Sequence, residues 1–242
     1  MQLWLCPLLA LLLGSIPFGL LIAKAKGIDI RQHGSGNIGA TNVLRIVGKK
    51  YGITCFLLDA LKGFIPVVIA VNLLRITGRQ VQVPLGLPDD WIMSFAAGDA
   101  FKAQLVQILT AACAVLGHNY SPWVGFRGGK GIATSAGALL ALMPVAVLLL
   151  LILWFVLFFA TRYVSVASIG VVAVLPLFTL WGSWYHGRIQ DGTWNKPLFA
   201  FTVAIAVLAI WKHRANIRRL RAGTEHRFTR KPKRARTVED RR

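Results

Sequence analysis

The chain of 242 residues is 55% hydrophobic, and 28 lysines and arginines stand against 9 acidic residues, for a formal net charge of +19. Length alone would allow one or two soluble domains, but the apolar runs 1–23, 51–74, 132–161 and 163–185 exclude them, because about 20 such residues suffice to cross a bilayer core. The odd set Cys6, Cys55 and Cys113, scattered through apolar segments, offers neither a complete disulfide framework nor metal-ligand spacing.

In chain order, the first run has no basic start, and Gly14-Ser15-Ile16-Pro17 sits inside it where a cleavable signal would carry a small-x-small site. It reads as a retained span over 3–23. The stretch that follows includes HGSGNIGATN (33–42), too polar for a membrane helix. Gly34, Gly36 and Gly39 let backbone N–H groups approach an anion closely, while Ser35, Asn37, Thr41 and Asn42 add side-chain donors. A helix resuming near Thr41 would point its N-terminal amides the same way.

The second span, 52–74, carries Asp59 and Lys62 three residues apart, close enough to face one another on a helix. An interior structural ion pair is the preferred reading, ahead of Lys62 reaching a site. The segment 76–101, with Pro84, Pro88, Asp89, Asp90 and Asp99, reads as an exposed excursion before a third span over 103–117. Next comes GHNYSPWVGFRGGKG (117–131), where Gly128 and Gly129 free the backbone beside the point charge of Lys130. It is no Walker A loop, since Val124 stands where glycine is required and Gly131 where Ser or Thr is, so phosphate binding in general is indicated and nucleotide binding is not.

The run 132–161 is too long for one straight crossing. Pro144 disfavours helix at Met143, so a turn there divides the run into 131–143 and 145–161. Spans 164–185 and 197–211 follow, bringing the expectation to about seven. Spans 103–117 and 131–143 are short for a full crossing. Between the last two, His186 and Asp191 form an H-x-x-x-x-D pattern like that of a soluble-domain class of glycerolipid acyltransferases; the spacing arises readily by chance and is discounted. The chain closes on KHRANIRRLRAGTEHR (212–227) and a tail containing KPKRAR (231–236). That tail reads as a disordered arm drawn to anionic lipid, each basic residue near the surface contributing up to about 1 kcal/mol; a nucleic-acid partner is not expected. The expected division is therefore an integral membrane domain over 1–226 and a basic tail over 227–242.

The positive-inside rule orients the bundle. An outside N-terminus and cytoplasmic C-terminus put Lys24, Lys26, Arg31, Arg45, Lys49, Lys50, Arg127, Lys130, Arg162 and the basic C-terminal segment on one side. The other side receives only Arg75, Arg79, Lys102, Arg188 and Lys196. In this arrangement the two glycine-rich loops, the SVAS start of 164–185 and the segment holding Lys212, His213, Arg214, Asn216, Arg218 and Arg219 all meet the cytoplasmic face. Their convergence predicts one site for anionic oxygens, with carboxylates scarce. A transporter would instead place substrate near the midplane on broken helices, often with internal repeats, and the chain shows no repeat. A scaffold docking a soluble enzyme through the tail would leave the Gly/Asn/Ser loops without a purpose.

Taken together, GSIPFG (14–19), GSGNIGATNVLR (34–45), DALKG (59–63), GHNYSPWVGFRGGKG (117–131), SVAS (165–168) and HRANIRRLRAGTE (213–225) resemble the bacterial acyl-phosphate-dependent glycerol-3-phosphate acyltransferase family. The resemblance runs from about residue 14 to 226; the 76–101 segment is longer than is usual there and the tail is extended. It implies an all-α, seven-span bacterial inner-membrane enzyme with a cytoplasmic active site, needing no cofactor or metal. Such an enzyme moves a fatty acyl group from acyl-phosphate to the 1-hydroxyl of sn-glycerol 3-phosphate, yielding lysophosphatidic acid and phosphate as the first step of phospholipid synthesis. It would depend functionally on the enzyme that makes acyl-phosphate. Carried over by motif, the resemblance implies that Ser35, Asn37, Thr41, Asn42, Arg45, Lys130, Ser165, Ser168, His213 and Asn216 surround the two phosphates. Ser35, Arg45, Lys130, His213 and Asn216 would be closest to the chemistry, with Gly34, Gly36, Gly39, Gly128 and Gly129 shaping the binding loops. Ser165 is the first choice of the two serines. The base that takes the glycerol proton is either His213 or a substrate phosphate oxygen, and the family favours the latter. Gly14, Gly19 and Gly137 either line a groove for the acyl chain or simply allow close helix packing.

Overall fold

The structure, a computed structural model, describes residues 2–228. It is a mostly helical membrane bundle. Helix α1 (Gln2–Ser15) breaks at Ile16-Pro17, where proline has no N–H to continue the ladder, and α2 (Phe18–Lys24) resumes at once. Together they form one apolar segment, Leu3–Lys24. A short α3 (Ala40–Ile46) leads into α4 (Lys49–Leu73). α5 (Ala100–Asn119) is a full 20 residues, longer at both ends than the 103–117 expected, because polar residues such as Lys102, His118 and Asn119 extend it past its apolar centre. Pro144 acts as anticipated: α6 (Ile132–Leu142) stops before Met143 and α7 (Pro144–Thr161) starts on the proline. α8 (Val164–Tyr185), α9 (Lys196–Lys212) and α10 (Arg214–Arg221) complete the helices.

Among the described residues, five segments are long and apolar enough to cross a membrane: 3–24, 49–73, 97–124, 144–161 and 164–185. α9 reaches that standard only together with α10, across a 53° bend. The eleven residues of α6 rise about 16 Å at 1.5 Å each, half of a bilayer core. Among the described residues, the extended pairing in this otherwise helical bundle lies at the start of the 76–101 excursion and within it. Strands β1 (Leu74–Ile76) and β2 (Met93–Phe95) pair in parallel there, with Ile76 and Phe95 packed on Ala100 and Ala103 of α5.

The main core gathers Val67, Ile108, Val115, Leu139, Leu175 and Ile205 from α4, α5, α6, α8 and α9. α7 is apolar all round, with Leu150 its one buried residue and the rest exposed or half-buried, as expected of a helix facing lipid on one side. The glycines settle the earlier alternative in favour of packing. A Cβ on Gly14 would overlap the Ala114 carbonyl, one on Gly19 the Ile38 carbonyl and one on Gly137 the Ala60 carbonyl. Opposing backbone fills the space, so these three positions line no open groove.

Asp59 and Lys62 form the expected interior pair at 2.7 Å, with both side chains buried. Lys62 also donates to the Ile16 carbonyl at 2.7 Å, at the α1–α2 break, and His118 Nδ1 lies 3.6 Å from Asp59. Lys62 is therefore a brace between α4 and the first span, and it does not reach the loop cluster below.

Residues 226–228 still pack on the bundle: Phe228 N–H donates to the Arg162 carbonyl at 2.9 Å and its ring lies against Phe158. The expected tail beyond them, 229–242, lies outside the described residues.

Candidate active site

The helix ends that meet at Lys49, Asn119, Val164 and Lys212 define one face of the bundle, and the polar loops collect there. The first loop is built around Asn42. Its buried Nδ2 donates to the carbonyls of Ile30 (3.3 Å), His33 (3.0 Å) and Asn37 (2.9 Å), and its Oδ1 accepts from Ser35 N–H (3.0 Å). Asn42 was expected to donate to a ligand. The fold instead directs its amide hydrogens to main-chain carbonyls, two of which, Ile30 and His33, also accept backbone N–H groups, so the side chain ties the loop to itself. Asn37 Oδ1 likewise accepts from Gly39 N–H at 2.8 Å. Gly34 adopts φ +62°, and a Cβ there would strike the Asn42 amide, so both backbone and space call for glycine. The hydroxyls of Ser35 and Thr41 make no hydrogen bond among the described residues and remain available.

The loop 120–131 lies against this first loop through Val124, which shares an apolar cluster with Ile30, Ile38 and Val43. Its glycines press onto the end of α5: Gly129 N–H donates to the His118 carbonyl at 3.1 Å, and a Cβ on Gly128 or Gly129 would collide with His118. That close seating aims Lys130 at α10, where its Nζ donates to Asn216 Oδ1 at 2.5 Å.

α10 presents Asn216 and Arg219 one turn apart, and after the left-handed Gly223 the chain doubles back to bring Glu225 against both. Glu225 accepts from Asn216 Nδ2 at 2.6 Å, Arg219 Nε at 2.7 Å and Ser165 Oγ at 2.9 Å. Burial acts to raise the Glu225 carboxyl, but these three hydrogen bonds outweigh it and hold the group below the usual carboxylate range. Ser165 is thus the serine that faces the cluster. Ser168 was placed beside the ligand by motif, but it sits three residues and about 4.5 Å deeper on α8, where its hydroxyl accepts from Trp154 Nε1 of α7 at 3.2 Å.

Arg45 reaches the same region from α3, with its guanidinium 5.0 Å over the Phe228 ring and 3.4 Å from the His226 carbonyl. Burial pushes Lys130 down to about 8; Glu225 offsets this in part, and the Arg219 and Arg45 charges add to it. His213, at the bend between α9 and α10, is held to about 4 by burial and then by the Lys130 charge. Its Nδ1 lies 2.7 Å from the Ala209 carbonyl, an acceptor, so Nδ1 carries the proton and Nε2 is left as an acceptor.

Arg45, Lys130, Ser165, His213, Asn216, Arg219 and Glu225 therefore form one continuous group, with the Gly34–Asn42 loop packed alongside. Sequence reasoning counted Arg219 only among the cations of its segment and missed the role of Glu225. The signal was present: Glu225 is the acid that closes HRANIRRLRAGTE, an otherwise basic stretch. His186 and Asp191 lie beyond α8, at the opposite end of the bundle. With Arg45, Lys130 and Arg219 around one carboxylate, the group holds surplus positive charge in a partly dry place, which suits phosphoryl oxygens.

The family model described as glycerol-3-phosphate acyltransferase matches residues 4–223. A relative of that name from Aquifex aeolicus is 42% identical over 219 residues, covering 90% of this chain and 95% of its own. Another from Geobacter metallireducens is 45% identical over 219 residues, covering 90% and 94%. Among solved structures, PlsY (YgiH), an integral membrane glycerol 3-phosphate acyltransferase in its glycerol 3-phosphate form, aligns with a TM-score of 0.74 at 38% identity, over 95% of this chain and 96% of that one. Its lysophosphatidic acid form gives a TM-score of 0.72 at 37% identity.

Proposed function

The chain belongs to the glycerol-3-phosphate acyltransferase family, and on that premise we propose that it transfers a fatty acyl group from acyl-phosphate to the 1-hydroxyl of sn-glycerol 3-phosphate. The observation that carries this reading is the linked set Lys130–Asn216–Glu225, closed by Ser165 and Arg219 and flanked by Arg45. It gathers fixed cations and N–H donors at one point, and its one hydroxyl, Ser165, faces a carboxylate whose basicity the Asn216, Arg219 and Ser165 hydrogen bonds lower, a poor base for making that serine a nucleophile. Acyl-phosphate needs none, because phosphate is itself a good leaving group.

In the proposed reaction the glycerol 1-oxygen attacks the acyl carbonyl carbon, and the bond from that carbon to the phosphate oxygen breaks. The hydroxyl proton passes to a phosphate oxygen, giving lysophosphatidic acid and hydrogen phosphate. Lys130, Arg45 and Arg219 neutralise the paired phosphoryl charge, and Ser35, Thr41 and the Gly34–Gly39 backbone supply further donors. Holding both substrates in attack geometry can remove about 7–11 kcal/mol of barrier. The test is purified full-length protein with acyl-phosphate and labelled glycerol 3-phosphate. Lysophosphatidic acid forms without coenzyme A or acyl carrier protein if the reading holds. Product formation only with an acyl thioester would overturn it.

His213 supports substrate-assisted proton transfer. A neutral imidazole with a pKa of about 4 is a weak base toward an alcohol at neutral pH, whereas its Nε2 is well suited to orient the hydroxyl. His213→Gln, which keeps an acceptor, is expected to retain kcat within about tenfold. A loss of the 10²–10⁴-fold typical of a general base would assign that role to His213 instead.

Lys130 sets an alkaline limit. With its pKa lowered to about 8, it is protonated below that pH and loses its charge as pH rises through it. In a pH profile, kcat/KM of the free enzyme falls above about pH 8. The corresponding limb of kcat lies higher, because bound phosphate dianions favour the charged amine.

The same proposal includes seven membrane segments, an outside N-terminus, and a site on the cytoplasmic face where Lys24, Lys26, Lys49, Lys50, Arg127 and Arg162 also lie. Membrane-impermeant labelling of single cysteines placed at Gly125 and Gly98 tests it: Gly98 reacts from outside and Gly125 only after permeabilisation.

A further inference from the structure

The end of the bundle away from Lys130 has a feature that acyl transfer does not use. At the N-terminus of α5, about 30 Å along that helix from the loop cluster, the segment after β1 and the turn between α8 and α9 flank a cavity of about 640 Å³. Arg79, Arg188 and Lys196 line it, and no carboxylate among the described residues does. Arg79 donates to the Thr193 carbonyl at 3.1 Å, tying one flank to the other. None of the three cations is in a salt bridge among the described residues, and Asp99, beside the cavity, pairs with Lys102 at 2.6 Å. Gln104, one turn into α5 and only 4% exposed, is part of the wall and makes no hydrogen bond among the described residues. Converging cations, of which only Arg79 has an acceptor, and an unpartnered amide on a largely buried side chain leave donors to spare, an arrangement that an anion completes.

The surroundings indicate which anion. Trp181, Trp184 and Tyr185 at the end of α8, and Phe101 at the start of α5, are all at least half exposed. Such a group of exposed aromatic side chains marks the headgroup level of a bilayer, and the charge pairing by which basic pockets between membrane helices hold anionic headgroups on the cytoplasmic side is equally open to a basic pocket at this end. These cations also stand on the side that the positive-inside rule would leave poor in positive charge. We propose that the cavity binds a phosphoryl oxyanion, and that its occupant in the membrane is the phosphodiester headgroup of an anionic phospholipid.

The test uses full-length protein in a non-ionic detergent, with the thermal unfolding midpoint followed as dihexanoyl phosphatidylglycerol is added. The wild-type midpoint is expected to rise saturably, with no rise for dihexanoyl phosphatidylcholine. R79Q/R188Q/K196Q should need at least tenfold more phosphatidylglycerol for half the rise, and Gln104→Leu several-fold more. R79K/R188K/K196R, which keeps the charge, should respond as wild type does and shows that the substituted loops still fold. Inorganic phosphate acts at the α10 cluster as well, so only the part of its effect lost in the triple Gln variant reports on this cavity. That part should require far higher concentration than the lipid. Equal potency would make free phosphate the occupant and overturn the lipid assignment. Indistinguishable responses of wild type and the triple Gln variant, or an equal rise with phosphatidylcholine, would overturn the site itself.

Discussion

Lys130→Ala is expected to lower kcat/KM by about 10³-fold or more. Removing one preorganised donor from a developing oxyanion costs about 10²–10³-fold, and Lys130 supplies a full charge that three segments combine to position. His118 seats its loop, Gly128 and Gly129 permit the close approach, and Asn216 receives its ammonium at 2.5 Å. Asn216 would stay in place, since its Nδ2 still donates to Glu225, so folded protein should remain and the loss should appear in kinetics. Lys130→Arg should not restore activity: the larger planar guanidinium cannot occupy a point-charge position bounded by Gly129 and Asn216. Steady-state kinetics on purified protein decides it, and a loss below tenfold would remove Lys130 from the centre of the mechanism.

The second large effect concerns stability. α4 and α6 touch backbone to backbone through a reciprocal pair: a Cβ on Gly63 would overlap the Thr134 carbonyl, and one on Gly137 would overlap the Ala60 carbonyl. In a membrane, where burying apolar surface against lipid-like neighbours drives little, such close packing is a principal source of helix association. Gly137→Val forces the helices apart. Overpacking of this kind costs about 1–3 kcal/mol or more, which for a chain of this size is a fall of roughly 2–12 °C in Tm. Activity should fall with it, because α6 begins one residue after Gly131 and carries Lys130 with it. Gly182→Ala is the control, as nothing lies within 4 Å of a Cβ there and φ is ordinary. Thermal unfolding in detergent should show little change for Gly182→Ala. Equal midpoints for both variants would remove the proposed role of the α4–α6 contact.

The helices were largely legible because hydrophobic run length is a local property that each segment carries within itself. The break at Ile16-Pro17, the stop before Pro144 and the division into loops rich in glycine and asparagine all follow from the chemistry of single residues or short neighbourhoods. The expectation for α5 stops short of its polar ends, Lys102, His118 and Asn119, which do not look like membrane residues. They are helical because neighbouring segments pair with or cover them.

The amino-acid sequence by itself determined that this is a helical membrane protein, that its cations concentrate in particular loops, and that Lys130, His213 and Asn216 belong to motifs worth bringing together. Only the tertiary structure decided that Asn42 holds the first loop, that Ser165 and not Ser168 joins the cluster, that Gly14, Gly19 and Gly137 meet opposing backbone, and that Glu225 stands at the centre of the basic group. The physical reason is that a hydrogen bond or a close contact belongs to a pair. Ser165 and Glu225 lie 60 residues apart along the chain, and neither residue type announces the other until folding places them 2.9 Å apart.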